Sequence, residues 1–84
     1  MENRVAIISI IVEDSGSVPA LNALLHEYGD LIIGRMGLPY REKKMNIISI
    51  ALDAPQDVTS ALSGKIGNLP GVSVKTVFAG VKGE

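Results

Sequence analysis

The sequence predicts an α+β domain of ferredoxin-like βαββαβ topology, with a four-stranded antiparallel sheet carrying two helices on one face. Three observations point there. Four apolar runs rich in β-branched residues, Val5 to Val12, Leu31 to Leu38, Met45 to Leu52 and Val72 to Phe78, have the length of strands. Two stretches with apolar residues at helical spacing fall after the first and third runs. The chain has 84 residues, which is room for one core and a single domain over residues 1–84.

The first run, Val5 to Val12, is apolar on both alternating faces, as a central strand covered on each side would be. One face would hold Ala6, Ile8, Ile10 and Val12, the other Val5, Ile7, Ser9 and Ile11. Two helices in so small a domain cover only one face, so the second is expected to be left to another copy of the chain or, at Ser9, partly to solvent.

Turn formers follow at Glu13 to Ser17. Ser17 is expected to cap a helix starting near Val18, with Pro19 in the first turn, where its missing N–H costs nothing. Val18, Leu21, Leu24, Leu25 and Tyr28 recur on one side of that helix, and Gly29 is placed to end it in a left-handed cap. His26 should lie at its solvent edge.

The second and third runs flank the charged connector Pro39 to Lys44 and read as a β-hairpin. The second run carries Gly34 and Arg35 and the last run Lys75, as edge strands do; the first and third, being the most apolar, should be central. A second helix from about Pro55 to Ile66 would bury Val58, Ala61, Leu62 and Ile66. Gly64 inside it lowers helix propensity by roughly 1 kcal/mol, for which a close backbone contact is the expected compensation. Gly67 to Gly71 forms a turn, and Val72, Val74, Thr76 and Phe78 share one face of the final strand. The tail 79–84 is expected to fray.

Composition narrows the function. A hydrophobic fraction of 46% with a formal net charge of −1 gives no electrostatic reason to expect nucleic acid or an anionic membrane as partner. The N-terminal apolar run is too short to span a bilayer and has no small-residue cleavage pattern after it, so the cytoplasm is the expected location. Without cysteine there is no disulfide, thiolate metal site or cysteine nucleophile. A single histidine, His26, cannot alone make a metal centre, and no metal or other cofactor is expected. No Gly-x-Ser-x-Gly elbow is present to activate a serine.

Two stretches remain as candidate sites. The stretch from Arg35 to Glu42 gathers Arg35, Tyr40, Arg41 and Glu42, and arginine suits bidentate capture of carboxylate or phosphate. It also reads as a solvated hairpin tip that forms an ion pair with a neighbouring subunit. Asp14, Ser15, Gly16 and Ser17 form a turn before a helix that could present backbone N–H groups to an anionic or amino-acid ligand, or simply cap the helix.

The residues also resemble a known family. Arg4 through Glu13-Asp14, Leu24-Leu25-His26, Arg35-Met-Gly-Leu-Pro-Tyr-Arg-Glu42 and Ala61-Leu-Ser-Gly-Lys-Ile-Gly-Asn-Leu-Pro-Gly-Val-Ser-Val-Lys-Thr76 are similar to the iron-only hydrogenase system regulators. The resemblance implies a ferredoxin-like fold akin to ACT domains and to the ligand-binding domain of the nickel-responsive repressor. It also implies an oligomer, in anaerobic bacteria that mature an [FeFe]-hydrogenase. This sequence shows neither a ribbon-helix-helix segment nor the histidine and cysteine set of the nickel repressor, so neither nickel sensing nor direct DNA binding is expected.

The resulting expectation is a noncatalytic ACT-like regulatory module. It would form a homodimer or homotetramer and bind a small ligand or protein partner at subunit boundaries through the two stretches above. The alternative is an accessory protein that docks on hydrogenase-maturation proteins without a ligand of its own.

Overall fold

A computed structural model describes residues 2–80. In chain order the elements are β1 (Asn3–Val12), α1 (Val18–Glu27), β2 (Ile32–Tyr40), β3 (Met45–Pro55), α2 (Gln56–Gly67) and β4 (Val72–Phe78), with 3-10 turns at Ser15–Ser17, Gly29–Leu31 and Arg41–Lys43. The strands form one antiparallel sheet in the order β2-β3-β1-β4. This is the expected ferredoxin-like arrangement, with β1 and β3 central.

The strand register fixes which side chains share a face. Ala6, Ile8, Ile10 and Val12 of β1 stand opposite Leu52, Ile50, Ile48 and Asn46 of β3, and opposite Phe78, Thr76, Val74 and Val72 of β4. The apolar members of this set pack with Leu21 and Leu25 of α1 and with Leu62 and Ile66 of α2 into one core. The other face of the sheet has no helix. On it Val5, Ile7 and Ile11 are 44%, 44% and 42% exposed, against 1% or less for Ala6, Ile8, Ile10 and Val12 on the same strand. The period-two division of β1 is therefore as the sequence implies.

Several local expectations fail, each for a physical reason. Gly29 does not adopt a left-handed cap: among the described glycines only Gly71 has a positive φ, and Gly29 instead opens a 3-10 turn whose Leu31 N–H donates to the Tyr28 carbonyl. β3 continues to Pro55, so α2 starts one residue later than expected. Its buried stripe is Thr59, Leu62 and Ile66, while Ala61 faces solvent. Nothing lies within 4 Å of a side chain built at Gly64, so no close approach compensates for it; the tight glycine is Gly67, 3.0 Å from Val74. Ser17 bounds α1 without capping it. Ala79 is tied down, its N–H donating to the Val5 carbonyl and its carbonyl accepting from Arg4 Nε at 2.8 Å. The remainder of the expected fraying, at 81–84, lies outside the described residues.

The two helices are also linked at their outer edge. Lys65 Nζ donates to Tyr28 Oη at 2.9 Å, and that hydrogen bond raises the lysine pKa above its ordinary value. Inside the core, among the described residues, the Thr59 hydroxyl is fully buried and has no partner. An orphan hydroxyl retains its desolvation cost, so Thr59→Val, nearly equal in shape, is expected to stabilise the fold by about 1 kcal/mol. A rise in the urea midpoint at unchanged slope checks this; a fall would show that the hydroxyl is paired.

Candidate functional site

The β1–α1 connection is built as a braced turn. The Asp14 carboxylate accepts from the Gly16 N–H at 2.9 Å, and the Ser17 N–H donates to the Asp14 carbonyl at 3.0 Å. The α2–β4 loop holds this turn from outside. Glu13 N–H donates to the Gly71 carbonyl at 2.7 Å, and the buried Ser17 Oγ donates to the Pro70 carbonyl at 2.6 Å. Gly71 is forced here, because its φ is +67° and a Cβ on it would lie 2.6 Å from the Asp14 Cβ.

The β2–β3 hairpin supplies an opposing side. After Tyr40 the chain makes the 3-10 turn Arg41–Lys43 and reverses at Lys44, which is left-handed at φ 53° with its N–H donating to the Arg41 carbonyl at 3.1 Å. Tyr40 then pairs with Met45, and Val12 at the end of β1 pairs with Asn46. These pairings bring the end of β1 and the hairpin tip to the same end of the sheet.

Between them lies an open cleft of about 500 Å³. Glu13, Asp14 and Ser15 line one side, Pro39, Tyr40, Arg41 and Lys44 the hairpin side, and Met45 and Asn46 of β3 lie between them. The two stretches singled out from the sequence thus meet: Asp14 and Ser15 face the same space as Tyr40 and Arg41.

The other four candidates do not line this cleft. By register Arg35 sits opposite Ile50 on the helix side of β2, and its Nη2 donates to Asn22 Oδ1 on α1 at 2.8 Å. It is five residues from Tyr40 along an extended strand, roughly 17 Å, so sequence nearness did not become spatial nearness. Gly16 and Ser17 serve the bracing of the turn, and Glu42 is exposed on the tip outside the cleft lining. Glu13, Lys44, Met45, Asn46 and Pro39 were not foreseen as lining residues. The signal for them was the hairpin itself, since a central β3 must begin beside the end of β1.

Among the described residues there is no group of three or more histidine, cysteine, aspartate or glutamate side chains that could hold a metal, and no helix long and apolar enough to cross a membrane. His26 is exposed on α1.

Comparison with known proteins gives a family and a fold. No curated protein matches the chain. TM1266, an uncharacterized protein from Thermotoga maritima of solved structure, is 40% identical, with a TM-score of 0.90 over 94% of this chain and 100% of that one. A formyltetrahydrofolate deformylase from Pseudomonas putida matches at 13% identity and TM-score 0.62, over 87% of this chain and 28% of that one. At that identity the likeness concerns the fold alone. Residues 4–76 match the TM1266-like family, described as "Iron-only hydrogenase system regulator, putative". This match spans most of the chain, which therefore belongs to the TM1266-like family of iron-only hydrogenase system regulators.

Proposed function

We propose that this protein is a noncatalytic regulatory module that self-associates through the bare face of its sheet and takes a small ligand or a protein partner in the cleft at the subunit boundary. The family description supports a regulatory role. The observation that carries the rest is that Tyr40 and Met45 belong to both surfaces. They line the cleft, and by register they lie on the same side of the sheet as Leu38 and Ile47.

That bare face is broad and mostly apolar, with Ser9, Ser49, Asp53 and Lys75 set among its aliphatic residues. Ile33, Met36 and Leu38 of β2 and Val77 of β4 are 57–64% exposed and flank Val5, Ile7 and Ile11 of β1. Apolar area of this kind gains on the order of 25 cal/mol per Å² when covered, and a domain of this size gains most from sharing a core. A second copy seated there would abut Tyr40 and Met45 and so border the cleft.

The Ile7→Asp variant tests the association. A charge at the middle of the face has nowhere to be solvated in a sheet-to-sheet contact, so light scattering should show a dimer or tetramer for the native chain and a folded monomer for the variant. A native chain that stays monomeric at hundreds of micromolar rejects the association.

A further inference from the structure

We propose that the cleft selects a zwitterion whose cationic and anionic groups lie several bonds apart, such as a dipeptide or an ω-amino acid. The proposal rests on the cleft being the ligand site, and it names the class of ligand.

The two walls carry opposite charge. Glu13 and Asp14 stand on one, Arg41 and Lys44 on the other, two of each sign. Among the described residues no hydrogen bond joins them: the Asp14 carboxylate accepts from a backbone N–H in its own turn, and the side-chain bonds of the other arginines, Arg4 to Gln56 and Arg35 to Asn22, lie elsewhere. Opposed charges held apart at the rim of one cleft leave an ion pair that a bound molecule can complete at both ends.

The sheet sets the distance between those ends. Glu13 continues β1 and Arg41 continues β2, and β3, into which Lys44 leads, lies between the two strands. Their backbones are therefore two strand spacings apart, about 9–10 Å. The acidic wall has little freedom to close that gap, because Glu13 is bonded to Gly71 and Asp14 to Gly16. In an α-amino acid both charges sit on one carbon. A dipeptide spans about 7 Å when extended, which lets its ammonium approach Glu13 while its carboxylate approaches the Arg41 guanidinium, a group with the fork geometry for a carboxylate. Met45, on β3 between the walls, offers apolar surface to the middle of such a ligand and no competing charge.

Titration of the ¹⁵N-labelled full chain, followed by amide shifts, tests this with five probes: alanyl-alanine, ε-aminohexanoate, alanine, an equimolar mixture of propionate and propylammonium, and inorganic phosphate. Alanyl-alanine and ε-aminohexanoate should move the amides of 13–15 and 40–46 at a concentration at least about tenfold lower than alanine does, a difference of about 1.4 kcal/mol. The separate ions should not reproduce the pattern. Glu13→Gln and Arg41→Gln should each weaken the dipeptide about tenfold or more. Lys44→Gly should do so to a smaller degree while keeping the turn, since glycine accepts its left-handed backbone. An equal response to the separate ions or to phosphate would overturn the zwitterion. Unchanged dipeptide binding in both Glu13→Gln and Arg41→Gln would also overturn it. Amides of the cleft that respond to none of the probes would reject the cleft as the site for this class, and a response of the same amides to an unrelated compound would show the site to stand without it.

Discussion

Replacing Gly71 with alanine is expected to lower the thermal midpoint by roughly 15 °C. The backbone at this position is left-handed, φ +67°, which costs a residue with a Cβ roughly 1–2 kcal/mol. The added carbon would also lie 2.6 Å from the Asp14 Cβ and 3.0 Å from the Asp14 backbone nitrogen. Neither is the free end of a flexible side chain, so the β1–α1 turn has to shift, and with it the 2.7 Å bond from Glu13 N–H to the Gly71 carbonyl. A net hydrogen bond adds about 1 kcal/mol, bringing the loss to about 3 kcal/mol. At 4–8 °C per kcal/mol for a domain of about this size, the shift is of the stated order. Scanning calorimetry measures it, and a change below about 4 °C would mean that the two loops are not packed as described. Because Asp14 and Glu13 line the cleft, the same substitution should also weaken any ligand there.

Ile8→Ala should cost still more, about 3–4 kcal/mol, whereas Ile7→Ala on the same strand should cost the isolated chain less than about 1 kcal/mol. Ile8 is fully buried between its partners Ile50 and Thr76, and emptying such a position loses both transfer energy and packing around the resulting cavity. Small domains sit near the lower end of the usual stability range of about 5–15 kcal/mol, so the first variant should be close to unfolding at room temperature. Ile7 is nearly half exposed before any partner arrives. Under the association proposed above, its effect should appear instead in how the urea midpoint depends on protein concentration, because a residue that packs only against a second copy stabilises only the associated state. Equal losses at the two positions at low concentration would contradict the one-sided core.

This contrast also shows what the sequence made legible. The alternation of β1, the apolar character of β3 and the single alternating face of β4 follow from period-two patterning, and they determine the sheet order once crossovers are right-handed. The bare face was legible because two helices cannot cover both sides of four strands. Four of the nine lining residues of the cleft, Asp14, Ser15, Tyr40 and Arg41, were also legible, as charged or polar residues in or beside turns. Arg35 does not line the cleft because its place depends on register: it stands opposite Ile50, on the side where Asn22 of α1 can accept from it. Ser17 was misassigned because a serine before a helix reads as a cap, and nothing local reveals that the Pro70 carbonyl, 53 residues away, takes its hydroxyl. Glycine function likewise depended on tertiary neighbours. Gly64 has open space around it, while Gly71 lies against Asp14.

The two walls of the cleft also differ in compliance. Glu13 and Ser17 are bonded to the loop that leads into β4, and the turn between them runs directly into α1, so that side moves only if the core moves with it. The opposite side is a short reversal, Arg41 to Lys44, at the free end of a hairpin whose outer strand has a neighbour on one side only. Such a segment opens at far lower free energy than the body of the sheet. The cleft therefore has one side braced by the core and one side held only through the hairpin. In the site proposed above, entry and escape of a ligand would follow the hairpin tip, and the charges it meets would be held by the braced turn.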